Sequence, residues 1–469
     1  MIDIKADTLR DEDVLSFQRS LSGELIQPGD AKYDEARLVW NGMIDRYPAL
    51  IARCANTQDV VASVNFAREH ALPLAVRGGG HNAAGNATCD GGLVIDLSTM
   101  RSVQVDPHAR IARAQGGALL ADLDAATQVY GLATPTGVVS ATGIAGLTLS
   151  GGFGYLRRKH GLSCDNLVGA EVVLASGEVV RASESENSEL LWALKGGGGN
   201  FGVVTTFEFQ LHPVGPEVLF LLVMYPAEVA ATAAAAWRDI VADAPDELSC
   251  NSFFFTIPPA PIYPVELHGR KVFGLFGMWS GDIAEGHNVI APLRTLAEPL
   301  IDATSPMPYS VAQSIFDESY PPHVHQRYWK SIYLNDLSEE AIATIAEWSA
   351  QAPSPMSLVD IWAMGGAASR VPADATAFGS REAPYWLVFN TTWVDSADAE
   401  VNIAWTRAFW EAMRPFSNGA VYLNFPGLGE EGEQMVRASL GGNYERLARI
   451  KAAYDPANLF RLNQNIKPA

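Results

Sequence analysis

Cysteine is scarce in this chain: Cys54, Cys89, Cys164 and Cys250 are the four among 469 residues. With no CxxC, no HExxH and no Cys/His run at zinc spacing, that supply excludes a disulfide framework and argues against a structural metal. Positive charge is also short, because 33 Lys and Arg against 53 Asp and Glu leave a formal charge of −20. A surface that acidic repels phosphate backbones and anionic membranes, so neither nucleic acid nor a membrane is expected as a partner. No apolar run approaches the ~18 residues of a membrane span. The opening MIDIKADTLRDEDV is acidic and lacks a basic-then-apolar leader, and the closing KPA is no anchor. A cytoplasmic protein is expected on these grounds. Internal repeats and low-complexity segments are missing too. The balance of 48% apolar and 18% charged residues is that of an ordinary globular protein.

The apolar periodicity places the elements. Val60, Val61 and Val64 predict a helix over 58–70, and Leu72–Val76 a short buried strand running into Arg77-Gly78-Gly79-Gly80-His81-Asn82. Further strands are expected at Leu93–Leu97, Val103–Val105 and Ile111–Ala114, and a helix over 118–130 stopped by Gly131. Glu171–Ala175 and Glu178–Ala182 read as a hairpin, Glu189–Lys195 as a short helix, and 203–211 as a half-buried strand. The composition changes after His212-Pro213-Val214-Gly215-Pro216. Beyond it, strands at 218–225, 272–279, 356–362 and 385–393 alternate with helices near 227–242, 282–297, 337–349 and 397–413. Such a pattern predicts one sheet with helices on one face, the other face free to wall a pocket.

Four stretches carry the chemistry. In Gly78-Gly79-Gly80 the backbone can approach a ligand closely and turn its N–H groups toward an anion. It is neither a P-loop nor a GxGxxG opening a helix, and a plain tight turn fits three glycines as well as a phosphate cradle does. The second is the long glycine-rich loop Thr142–Gly154, the third Gly161-Leu162-Ser163-Cys164-Asp165-Asn166, the fourth Gly196-Gly197-Gly198-Gly199-Asn200-Phe201-Gly202.

In the order RGGGHN, GGFGYLRRKHGLSCDN, LKGGGGNFGVVTTFEF, these stretches resemble the vanillyl-alcohol-oxidase or PCMH-type FAD-binding fold. The tail from Asn443-Tyr444-Glu445-Arg446-Leu447 to Asn463-Gln464-Asn465-Ile466 is similar to that of berberine-bridge enzymes. The resemblance implies an α+β architecture. A two-part FAD-binding domain (1–215) is followed by a substrate domain (216–419) whose antiparallel sheet is covered by helices on one face. A C-terminal segment (420–469) then returns to the FAD domain.

It further implies FAD linked through His81, and, as in a subset of the family, also through Cys164, a bicovalent flavin. The diphosphate is expected on Arg77, Gly78, Gly79, Gly80, His81 and Asn82, with Gly137, Gly143, Gly146, Gly151 and Gly154 adding contacts. Val204 is expected on the adenosine side, and Asn463 and Asn465 near the isoalloxazine, C-terminal capping being their other reading. Cys54, Cys89 and Cys250 match no motif and read as packing. The implied activity is an oxidase that removes hydride from a C–H beside oxygen or nitrogen of a bulky small molecule, with dioxygen as acceptor. A dehydrogenase with another acceptor, or a flavin-holding protein with little turnover, are the alternatives.

The proton acceptor is harder to read. Relatives often show Tyr-x-Asn-Tyr where this chain has Tyr422-Leu423-Asn424-Phe425, and the plant glutamate before Pro-Phe-Pro-His-Arg has no counterpart at 373–381. Tyr422 is the expected base. Asp360 and the run His323, His325, Arg327, Tyr328, Lys330 are the other candidates, the histidines of that run being expected at the surface.

Overall fold

The computed structural model describes residues 9–430 and 432–469; the first eight residues of the acidic N-terminal stretch lie outside them. Three larger sheets organise the chain. The first is four-stranded, ordered Glu24–Ile26, Leu50–Arg53, Leu93–Asp96, Leu74–Arg77, with its last three strands parallel. The helix Thr57–Glu69, whose first turn is capped by the Asn56 side chain, makes the crossover that parallel pairing requires. The second sheet is antiparallel, ordered Val103–Asp106, Ile111–Gln115, Val203–Gln210, Leu167–Val173, Val179–Ser183.

The third sheet has eight strands. Its central order is Glu217–Pro226, Lys271–Trp279, Leu248–Thr256, Leu358–Ala363, Tyr385–Trp393, Gln326–Leu334, all antiparallel. One face packs under the helices Ala230–Ala242, Glu339–Ser349 and Ala399–Met413, burying Leu221, Phe254, Leu275, Ile361, Leu387 and Ile332. Residues of opposite parity, Phe253, Phe276, Trp362, Trp386 and Tyr333, face the other way into a second core with Phe153, Tyr155 and Tyr422. One sheet covered by helices on a single face is the expected arrangement.

Two of the six central strands of this sheet escaped the sequence reading. Leu248–Thr256 is apolar or neutral on both faces and so shows no alternation, and Gln326–Leu334 carries Arg327 and Lys330 at buried positions. The glycine-rich loop also holds a short helix, Ile144–Leu149. Several buried contacts join the sheets. Arg157 and Arg158, which make no ion pair among the described residues, donate to the carbonyls of Ala363 and Met364 at the end of the Asp360 strand. Asn41, fully buried, donates to the carbonyls of Ala83 and Arg327 and accepts from the Arg327 N–H. The C-terminal helix Tyr444–Tyr454 returns through Lys451, whose ammonium meets Asp455 (2.6 Å), the Asn200 carbonyl and the Phe460 carbonyl.

Candidate active site

The glycine loops and the uncovered sheet face enclose one cavity. On the first side it is lined by Gly78–Asn82, Gly137, Gly143, Gly146, Gly197–Asn200 and Val204, and at one end by Phe460, Leu462, Asn463 and Gln464. Gly79 and Gly143 cross so closely that a Cβ on Gly79 would lie 2.4 Å from the Gly143 nitrogen. At Gly146, by contrast, a Cβ would meet nothing within 4 Å and would project into the open space. Among the described residues, no acceptor is found for the backbone N–H groups of Gly79, Gly80, His81 and Asn82. Four successive unpaired donors on a glycine turn suit an anion such as a diphosphate. His81 sits at the end of this turn, its Nε2 buried without a partner. Burial, with Arg327 adding to it, pushes the imidazole down to about 3, so it is neutral. Asn463 donates to the Gly199 carbonyl (2.6 Å) and keeps its own oxygen unpaired. These donors, this cradle and this neutral imidazole fit a dinucleotide cofactor.

Strand register decides the opposite wall, because residues directly across an antiparallel pair point to one face. Trp362 lies opposite Trp386, Asp360 opposite Val388, and Trp329 opposite Asn390, and all six line the cavity. Tyr320, Tyr422, Asn424 and Phe425 complete the wall. Asp360 is its one carboxylate, 5% exposed; Oδ2 accepts from Asn390 (2.6 Å) and Oδ1 has no partner. Burial pushes this carboxyl up to about 7. The Tyr422 oxygen accepts from the Gly152 N–H (3.1 Å) and from Asn424 (2.8 Å). Burial raises that phenol further from neutrality.

Comparison with known proteins agrees with this geometry. Residues 48–183 match the FAD binding domain, and residues 421–467 match the family described as berberine and berberine like. An uncharacterised FAD-linked oxidoreductase of Bacillus subtilis is 32% identical over 455 residues, spanning 96% of this chain and 97% of that one. The chain belongs to the berberine-bridge-like FAD-linked oxidoreductases. The solved 6-hydroxy-D-nicotine oxidase of Arthrobacter nicotinovorans superposes with a TM-score of 0.82 at 29% identity, covering 96% of this chain and 99% of that one. Glucooligosaccharide oxidase of Acremonium strictum, described as carrying a 6-S-cysteinyl, 8α-N1-histidyl FAD, shares the fold: TM-score 0.86, 24% identity, 97% of this chain and 99% of that one.

Within this berberine-bridge-like site, five of the expected residues stand off the cavity wall. Arg77 turns its guanidinium to the carbonyls of Ala36 and Ala87 and braces the glycine turn from behind. Gly151 and Gly154 serve close packing: a Cβ on Gly154 would lie 1.9 Å from the Thr136 carbonyl oxygen, and one on Gly151 would strike Phe378. Asn465 is half-buried, with its side-chain oxygen enclosed and unpaired. Cys164 is fully buried in the apolar core behind the cavity, its thiol beside the Asp165 carboxylate (3.7 Å) and pushed well up by burial. Asp165 in turn pairs with buried Arg381.

The run at 323–330 divides: His323 is exposed, as expected of its histidines, and His325 half-buried, whereas the residues after them turn inward. Arg327 and Lys330 are buried, and the His323 ring lies 2.6 Å from the Val39 carbonyl. Sequence reasoning missed Trp329, Asn390 and Tyr320. The recognised strand 385–393 held the signal for Asn390, since 386, 388 and 390 share a face. Among the described residues no group of three metal-ligating side chains occurs, and no helix is long and apolar enough to cross a membrane.

Proposed function

We propose that this protein is an FAD-dependent oxidase that takes hydride from a C–H beside oxygen or nitrogen of a flat, ring-bearing natural product. The observation that carries the reading is a single cavity with an N–H cradle and His81 on one side and Asp360 among aromatic rings on the other. When bound, FAD would supply a two-electron acceptor for the hydride that dioxygen can reoxidise. Gly79–Asn82 would hold the diphosphate, and His81 would make the covalent link. The second link through Cys164 is set aside, because that thiol faces core rather than cavity. In this reading residues 1–215 form the cofactor unit, 216–419 the substrate unit, and 420–469 the return.

Asp360 acts as the proton acceptor. A carboxyl near 7 is poised to take a proton from a substrate O–H or N–H at neutral pH, whereas a phenol raised by burial is not. Asn390 orients the carboxylate, and Tyr422, held by Gly152 and Asn424, shapes the floor. Trp329, Trp362, Trp386 and Phe425 present ring faces and edges that suit an aromatic or fused-ring substrate.

Anaerobic mixing of the purified yellow protein with hydroxylated aromatics, cyclic amines and oligosaccharides tests the reading. Rapid bleaching by a ring-bearing alcohol or amine supports it. Bleaching by oligosaccharides alone overturns the substrate class, and bleaching by none overturns the oxidase.

A further inference from the structure

A stack of three side chains stands behind the glycine turn. Trp40 lies on the His81 ring with centroids 3.9 Å apart and planes 19° from parallel. On Trp40 in turn lies the Arg327 guanidinium, 4.2 Å from the indole centre. Arg327 is 1% exposed and, among the described residues, makes no ion pair; one Nη donates toward His325 Nδ1 (3.2 Å) and Nε has no partner. Burial pushes it down to about 10, so it remains charged at neutral pH. A buried cation without a carboxylate is costly, and the ring faces of Trp40 and Tyr320 are what compensate it here.

Trp40 itself is fixed from several sides. Its N–H donates to the Gly80 carbonyl, its indole N–H to the Tyr320 carbonyl, and its carbonyl accepts from the His323 N–H. Asn41 next to it bonds the backbone of both Ala83 and Arg327. The glycine turn and the Arg327 strand are thus held in register through this one segment.

We propose that Arg327 and Trp40 are positioning residues that present the His81 ring for its bond to the flavin. The inference rests on the reading that His81 carries the cofactor. For that bond, one N–C bond forms while one imidazole N–H and one C–H of the flavin methyl break. The two electrons and two protons released leave with dioxygen as hydrogen peroxide. Only the neutral imidazole has the lone pair this needs, and the Arg327 charge opposes its protonation. The other titratable groups around the ring are His325 and Tyr320, which touch Arg327, and Asp360 across the cavity. Asp360 alone among them would favour a protonated His81.

The test is the rate at which protein produced under riboflavin limitation turns added FAD into acid-stable flavin in air, followed from pH 5 to 8. Wild type should proceed across that range. Arg327→Met should be at least about tenfold slower at pH 7.5, because the stack that holds the ring is broken, and slow further toward pH 5, because the smaller of the two effects that keep the imidazole neutral, the charge beside burial, is removed. Arg327→Lys, which keeps the charge, should slow without gaining that acid fall. Trp40→Leu should slow at every pH alike, and it carries the test alone if Arg327→Met does not fold. Rates and pH profiles equal to wild type in the folded variants overturn the proposal. Wild-type flavin that washes out in acid overturns the His81 reading itself, and this inference with it.

Discussion

The cofactor-facing wall of the cavity comes from short contiguous stretches, Gly78–Asn82, Gly143–Gly146 and Gly197–Asn200, whereas the wall across from it takes alternate residues from three separate strands. The first wall is chiefly backbone: unpaired N–H groups and glycines that allow close approach. The second is side chain throughout, one carboxylate among indoles and phenyl rings. A backbone site binds the part of a cofactor that never changes, while a side-chain site can vary residue by residue within a constant sheet. The two walls should therefore respond differently to substitution.

The largest expected effect is on the cofactor side. His81→Ala should convert flavin that stays with the acid-precipitated pellet into flavin that washes into the supernatant, read by absorbance and by gel fluorescence. Retention of acid-stable flavin in that variant moves the attachment to another residue and breaks the division of labour between the walls.

On the substrate side, Asp360→Asn should leave flavin content unchanged and slow anaerobic flavin reduction at least ~10²-fold. The pH profile sharpens the point. Burial raises the Asp360 carboxyl to about 7, and a proton acceptor works only when ionised, so wild-type reduction should rise with pH through about 7 and level off above it. Asp360→Asn should lose that limb. Tyr422→Phe should be milder, slowing reduction less than about tenfold and keeping the limb, since its oxygen serves the Gly152 N–H and Asn424 rather than the substrate proton. A loss of 10²-fold or more together with the limb transfers the role from Asp360 to Tyr422.

The contrast also explains what was legible in the sequence. Gly78–His81 and Gly197–Asn200 could be read because local backbone demands leave contiguous traces, and the alternating strand 203–211 proved to be Val203–Gln210. Asp360 could be placed on a strand, yet its neighbours Trp329 and Asn390 come into register only through antiparallel pairing that no single segment encodes. The strand Gln326–Leu334 was hidden for a related reason. Arg327 and Lys330 look like surface charge until Trp40 and Trp410 supply aromatic faces from elsewhere in the chain. Arg77 shows the reverse case, a motif residue whose side chain points away from the site and supports the turn from behind.

The smallest expected effect belongs to Cys164, where motif position and packing disagree. The family resemblance implied a second flavin bond there, but the sulfur is enclosed by core that includes Leu162, Tyr333 and Phe378, beside the Asp165–Arg381 pair. A thiolate is the nucleophile in such chemistry, and burial holds this thiol well above its ordinary value. Cys164→Ala removes one sulfur from a packed interior and should cost about 1–2 kcal/mol of stability, in the range of small cavity-forming changes. Acid-stable flavin should match wild type. If instead His81→Ala retains acid-stable flavin and only the double variant with Cys164→Ala releases it, the sulfur reaches the ring in the loaded protein. The loop Gly151–Cys164 would then have to shift on binding, and the boundary between cofactor wall and core would move with it.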